Sequence, residues 1–275
     1  MKIPGFAVPS AAGPGFFRAL FAMLDEFRSE VITLPGSFGN REVKLSRLFP
    51  YVPNGAHVLL LHGVHSSANL SPHNKFSHLA RILAERGITP WLCETSRRQV
   101  SRDDYPNNLR GWIMDAFGGK SFPDEFADCE GAFSHVALHK PRETWLWGFS
   151  LGGVIALALA AKYEVERVIM SGTGLVSAPD AERDMIPLPI LSTLRENLSP
   201  DMLREIKAES ATLFRGTNDA IFSDEACRDL IDAIGLPAER KKYFAIEGAD
   251  HSLKMRGGRR DAKIMDEMLA LLLAA

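Results

Sequence analysis

Two kinds of hydrophobic pattern alternate along most of the chain. Short, nearly continuous apolar runs read as buried strands: His57-Val58-Leu59-Leu60-Leu61, Ile88 to Cys93, Glu143 to Gly148, Val165 to Met170, Ala211 to Arg215 and Lys242 to Ile246. Between them apolar residues recur at every third or fourth position, which predicts helices. Ser71 to Arg86 places Phe76, Leu79, Ile82 and Leu83 on one face and then meets Gly87, a good helix stop. Helices are likewise predicted over Phe122 to His139, Ser150 to Tyr163, Asp224 to Ile234, and from about Arg259 to the end. Apolar strands alternating with helices imply an α/β fold, a mostly parallel sheet with helices on both faces.

The margins of this rhythm are informative too. Glu30 to Leu34 and Arg41 to Phe49 read as two strands joined around Gly36 and Gly39, which suggests an antiparallel edge. Phe16, Phe17, Leu20, Phe21, Leu24 and Phe27 stand at helical spacing. We read them as a helix packed on its own domain rather than one lying on a membrane. Two segments break the alternation, Glu94 to Ser121 and Val176 to Glu209, both long enough to be functional excursions over strand ends. In the second, Pro179, Pro187, Pro189 and Pro200 punctuate apolar residues at near-helical spacing, from Ile190 and Leu191 to Leu203 and Ile206. A small helical cap over residues 176–209, enclosing an apolar pocket above the strand ends, is expected; the alternative is that these residues pad the core. No repeat, linker or low-complexity tract divides residues 1–275, so a single domain is expected.

Composition narrows the function. With 46% hydrophobic and 24% charged residues in 275, the chain is too apolar for intrinsic disorder. Its 32 Lys and Arg against 34 Asp and Glu argue against a duplex nucleic-acid binder, which usually carries a basic excess. Cys93, Cys129 and Cys227 form no Cys-x-x-Cys pair, so neither a disulfide framework nor a zinc site is expected, and a reducing compartment fits best. Pro4, Pro9 and Pro14 interrupt any secretory apolar run, and the longest apolar stretch, Val154 to Ala161, is far short of a membrane span. The expectation is a cytoplasmic protein without stable membrane insertion. Nothing in the pattern specifies an oligomeric state.

The most specific motif is Gly148-Phe149-Ser150-Leu151-Gly152, between an apolar strand and an Ala/Leu-rich helix. A serine that attacks a carbonyl needs exposure, a base and an anion-stabilising backbone. A tight strand-to-helix turn supplies the first, and glycines two before and two after the serine let backbones approach it. The helix starting there can aim the Leu151 N–H at a developing oxyanion. The competing reading is a plain βα turn whose Ser150 only caps the helix. Downstream, Gly216-Thr217-Asn218-Asp219 and Glu247-Gly248-Ala249-Asp250-His251 each follow a strand, so Asp219 and His251 fall at the same sheet end as Ser150. The order Ser150, Asp219, His251 is the serine, acid, histidine order of one known triad arrangement. Asp180, on the preceding loop, is the alternative acid.

With these motifs the chain resembles α/β-hydrolase-fold enzymes from about Glu30 to Ala275, with cinnamoyl esterases and monoacylglycerol lipases as the nearest flavour. The resemblance implies Ser150 as nucleophile, His251 as general base and Asp219 as the acid that orients His251. It also matches a His-Gly pair after the third strand to Leu61-His62-Gly63-Val64, which implies that Val64 N–H joins Leu151 N–H in an oxyanion hole. Where many such relatives have an Asp-x-Arg-Gly-x-Gly-type stretch, this chain has Cys93-Glu94-Thr95-Ser96-Arg97-Arg98. The implied activity is hydrolysis of a small-molecule carboxylic ester, with no metal or cofactor. Thioester, amide or carbon–carbon bond hydrolysis on the same fold is the alternative, and a catalytically silent binding protein is a third reading.

Other motifs lead elsewhere. Gly118-Gly119-Lys120-Ser121 lacks the first glycine of a phosphate-binding loop, because position 114 is Met114. The third glycine of a dinucleotide fingerprint begun at Gly172 falls on Ser177. His62, His65, His73 and His78 lack the spacing of a helical metal pair. Arg97, Arg98 and Arg102, beside Asp103 and Asp104, read as a solvated loop, with an acid-binding site bordering the pocket as the alternative.

Overall fold

The computed structural model describes residues 27–64, 66–72, 74–184, 187–194, 199–254 and 262–274. The helix expected over Phe16 to Phe27 lies outside them except for Phe27, whose ring packs 4.8 Å from that of Tyr51. Eight strands form one sheet: β1 (Ser29–Pro35), β2 (Glu42–Leu48), β3 (Ala56–Leu61), β4 (Thr89–Glu94), β5 (Glu143–Phe149), β6 (Val165–Ser171), β7 (Ala208–Gly216) and β8 (Lys241–Ile246). Their order across the sheet is β1-β2-β4-β3-β5-β6-β7-β8. β1 and β2 pair antiparallel, as does β2 with β4, and every later pairing is parallel. The early hairpin is thus the antiparallel edge that its sequence predicts.

Helices α1 (Lys75–Glu85), α2 (Leu109–Phe117), α3 (Phe122–Ala137), α4 (Leu151–Lys162), α5 (Pro179–Asp184), α6 (Pro189–Ser192), α7 (Pro200–Arg204), α8 (Asp224–Ala233) and α9 (Ala262–Ala274) complete the fold. All six residues of β3 are buried, which only a strand covered on both faces requires. Its side chains alternate: Leu59 and Leu61 enter the core shared with α2, α3, α4 and α8, whereas Val58 and Leu60 enter the core under α1 and α9. α4 crosses the first of these cores and is buried on nearly every side, so its sequence shows no polar face. Among the described residues, no helix is long and apolar enough to cross a membrane.

The two excursions fold differently from one another. Residues 94–121 contain α2, whose Ile113, Ala116 and Phe117 enter the core. Its nine residues fall in a segment without strong helical periodicity, which is why the pattern left it unassigned. In residues 176–209 the described apolar side chains Leu188, Ile190, Leu203 and Ile206 join the same core as α3 and α4. The Thr193 hydroxyl oxygen accepts from Phe122 N at the start of α3 (2.8 Å), fastening that segment to the helix layer. For these four residues, padding the core is therefore the setting observed.

Three side chains sit where sequence gives little warning. Cys93 on β4 and Cys129 on α3 are both buried, with their thiols in hydrogen-bonding reach; that contact, with burial, pushes the Cys129 thiol well above its ordinary range. Lys120 is fully buried, and its ammonium lies between Glu125 and Asp128, 3.0 Å from Asp128 Oδ2 and 2.6 Å from Ser96 O. Burial alone would lower the Lys120 pKa, but the two carboxylates outweigh it and raise it. Asp128 is likewise pushed up by burial and pulled further down by Lys120, Ser96 and Ser37. Removing the cation would leave two buried carboxylates uncompensated. We expect Lys120→Met to lower unfolding stability by roughly 3–5 kcal/mol, the scale for breaking a buried pair from one side, measured by urea denaturation.

Candidate active site

The site is built at the carboxyl ends of β3, β5, β7 and β8. Ser150 is the single residue between β5 and α4, with φ 53° and ψ −117°. A non-glycine residue at such a φ is strained by about 1–3 kcal/mol and persists only when its surroundings dictate it. They do so here. Ser150 N donates to Ser171 O (2.8 Å), and Ser150 O accepts from Gly153 N (2.9 Å) and from the Thr173 hydroxyl (3.1 Å). A β-carbon on Gly148 would stand 1.9 Å from Gly152 O, and one on Gly152 would stand 2.4 Å from Leu61 O. Only glycine lets α4 start this close to the ends of β3 and β5. The Ser150 hydroxyl makes no capping bond to α4, so it is left for another partner.

That partner is His251. Its Nε2 lies 3.1 Å from Ser150 Oγ, and its Nδ1 lies 3.0 Å from Asp219 Oδ2. Asp219 and His251 come from the loops after β7 and β8, which are stitched together by Asn218 N to Ala249 O (2.9 Å) and Gly248 N to the Thr217 hydroxyl oxygen (2.8 Å). The Asp219 side chain is fully buried, and its second oxygen accepts from Ile221 N (2.8 Å) and Phe222 N (3.1 Å). Burial pushes this carboxyl up, but the His251 hydrogen bond and charge, with the two backbone donors, outweigh it and hold it below the usual range. An ionised carboxylate can only accept, so Nδ1 carries the proton and Nε2 is free to accept from the Ser150 hydroxyl. The structure therefore brings Ser150, His251 and Asp219 into one hydrogen-bonded line. The alternative acid, Asp180, sits on α5, and Asp219 occupies the Nδ1 position.

The His62-Gly63-Val64 loop lies against this line: a β-carbon on Gly63 would be 3.2 Å from Ser150 Cβ. His62 is buried and donates from Nδ1 to Gly63 O (2.8 Å), while its Nε2 accepts from Thr95 N (3.3 Å). Burial lowers its pKa, Lys120 and Arg97 lower it further, and Glu125 opposes them without prevailing, so this imidazole is neutral. Thr95 donates to Glu125 Oε1 (3.0 Å), which links the loop to Lys120 and Asp128. His62 thus serves as a buried strut. His78 instead faces Asp266 at 3.3 Å near the surface, and His65 and His73 lie outside the described residues.

Comparison with protein-family models and with curated proteins finds no match. Solved structures do match over nearly the whole chain. A putative dienelactone hydrolase from Klebsiella pneumoniae is 16% identical, with 91% of this chain and 98% of that one covered and a TM-score of 0.65. The esterase domain of a Rhodothermus marinus protein is 21% identical, covering 90% and 97%, with a TM-score of 0.60. A lidless α/β serine hydrolase from Xanthomonas campestris is 18% identical, covering 90% and 93%, with a TM-score of 0.56. The fold of this chain is that of the α/β-hydrolase superfamily.

Sequence reasoning did not single out Thr173, Thr95, Glu125 or Asp128. Each is a common residue with a key partner far away in the chain (Ser150, His62, Thr95 and Ser96 in turn), so no local spacing announces it. Thr173 is the most direct support of the strained serine. Thr173→Val keeps the volume but removes one of the two donors to the Ser150 carbonyl, leaving Gly153 N, and should cost about 0.5–1.5 kcal/mol by chemical denaturation, with Thr173→Ser recovering most of it. Asp219 makes a second, pH-dependent prediction. Its folded pKa is depressed, so its contribution is complete above the unfolded carboxylate value and fades as pH falls through the folded one. Unfolding free energy measured against pH should fall less steeply in acid for Asp219→Asn than for the native chain.

Proposed function

We propose that this protein is a serine hydrolase that cleaves carboxylic esters of short to medium or compact aromatic acyl groups through an acyl-enzyme. The observation that carries the reading is the unbroken line Asp219–His251–Ser150, 3.0 and 3.1 Å per step, ending at a serine held in strained backbone. A strained turn that presents the serine, a spare hydroxyl and an oriented base are the requirements of an activated nucleophile. In the first step Ser150 Oγ bonds to the acyl carbon and its proton passes to His251 Nε2. The carbonyl electrons rest on oxygen, facing the Val64 and Leu151 N–H groups. Collapse breaks the ester bond, and the leaving alcohol takes the proton from His251. Water then repeats the sequence, giving its proton to His251 and releasing the acid with Ser150 restored. Asp219 stays ionised throughout and stabilises the imidazolium at each crossing. The names of the similar solved structures, which include esterases and serine hydrolases, favour the same chemistry.

An organophosphonate probe should add covalently to Ser150 and to no residue of Ser150→Ala, read by intact mass and peptide mapping. Asp219→Asn should retain the fold and lose kcat by roughly 10⁴-fold on a chromogenic short-chain ester, because neutral Asn permits the wrong His251 tautomer. Asp180→Asn should leave kcat near the native value. A native chain that folds yet takes no probe would instead be a binding protein on this fold.

A further inference from the structure

Beyond β4 the arginine-rich segment is pinned at each turn. Asn40 N donates to Arg97 O (2.9 Å), Arg98 N to Ala116 O (3.0 Å), and the Trp112 indole N–H to Val100 O (3.0 Å). Held between the β1–β2 hairpin and α2, the segment borders a half-open cavity of about 290 Å³. Lys44, Arg97, Arg98 and Arg102 line it, against Glu42 and Glu94. Glu94 is already engaged, with one oxygen on Arg97 and the other accepting from Asn69 (3.2 Å). Arg98 and Arg102 donate to main-chain carbonyls alone, Asp115 O at 3.4 Å and Tyr105 O at 2.6 Å. Neither they nor Lys44 pairs with a carboxylate among the described residues. Asp103, Asp104 and Asp115 stand nearby but outside the lining, and Asp115 accepts from the Tyr105 hydroxyl. Three cations therefore share this cavity with one remaining acid, Glu42.

The sheet register fixes where the cavity lies relative to the serine. Cys93, Leu61 and Gly148 are aligned partners on β4, β3 and β5. Thr95, Gly63 and Ser150 each follow two residues later, so they stand at one level at the sheet's end. Thr95, which lines the cavity, is thus two strand spacings, about 10 Å, from Ser150. Glu94, on the cavity side, accepts from Asn69 on the loop after β3, which lies between the cavity and the β5 end.

We infer that this cavity is a carboxylate subsite, and that the ester cleaved at Ser150 bears a carboxylate at the far end of its acyl or alcohol part. The inference takes its chemistry from the hydrolase reading and its geometry from the cavity. A planar carboxylate fits between guanidinium forks, and its charge-assisted bonds are about twice as strong as neutral ones. A neutral ester of equal length leaves Lys44, Arg98 and Arg102 facing water. A short dicarboxylic hemiester is the simplest ester that bears such a carboxylate.

The test compares aryl hemiesters of glutaric and adipic acid with aryl esters of valeric and hexanoic acid at low ionic strength. The native protein should favour the anionic ester by about tenfold or more in kcat/KM, the scale of one well-placed charged contact, and added salt should erode that ratio. In the triple variant Lys44→Ala, Arg98→Ala, Arg102→Ala the ratio should fall towards one, and the single variant Arg102→Gln should move it part of the way. A ratio of one or less in the native protein, or one that the triple variant leaves intact, overturns the inference. A readout without turnover separates it from the hydrolase reading: glutarate titrated calorimetrically into Ser150→Ala. Glutarate binding that disappears with the three cations supports the subsite even if no ester is cleaved. Cleavage of neutral esters without glutarate binding overturns the subsite and leaves the hydrolase standing. Inorganic phosphate binding more tightly than glutarate would overturn the assignment to a carboxylate.

Discussion

The geometry of this protein turns on how closely the start of α4 approaches the ends of β3 and β5. There is no room for a β-carbon at Gly148 or Gly152, and the residue between the strand and the helix is forced to a positive φ. That constraint lifts Ser150 out of the sheet, keeps its hydroxyl off the helix, and brings the His62-Gly63 loop against it. The energy stored in the turn is repaid by the bonds that Thr173, Ser171 and Gly153 make to the serine backbone. Without the tight approach, the loops after β7 and β8 would still converge, but on empty space.

Behind the loop lies a second constraint, the buried cluster of Lys120, Glu125 and Asp128. Charges are expensive to bury, and such a cluster adds little net stability over an apolar one. What it supplies is position. Through Thr95 it meets His62 Nε2, and the neutral His62 in turn bonds Gly63 O from Nδ1. The loop that presents Val64 is therefore set from behind by a chain of hydrogen bonds that tolerates few alternative arrangements. The same segment carries on past Thr95 and Ser96 to the arginines, so one stretch after β4 both braces the site and borders the cationic cavity.

The strand ends give these parts a common level. Parallel strands in register deliver successive loops to one edge, and each loop here brings a different chemistry: an amide-bearing turn after β3, cations after β4, the serine after β5, the acid after β7 and the imidazole after β8. The interior needs only apolar bulk to hold the strands. A stacked ladder of Trp147, Phe149, Phe214 and Phe244 does this across β5, β7 and β8.

Local pattern by itself determined most of the strands and long helices, because a strand buried on both faces must be apolar throughout and a covering helix must repeat every third or fourth residue. It also determined that Ser150, Asp219 and His251 fall at one end of the sheet, since each closely follows a strand and parallel strands share a direction. It did not determine α2, whose short apolar face is diluted by polar neighbours, or the burial of Lys120, which looked like an abortive phosphate loop. Nor did it show that Cys93 and Cys129 meet, or that Arg97, Arg98 and Arg102 line one cavity. Those outcomes depend on contacts between residues far apart in the chain. A lysine, a cysteine or an arginine carries no mark of the carboxylate, thiol or carbonyl it will face until packing has chosen its neighbour, and that choice belongs to the tertiary structure alone.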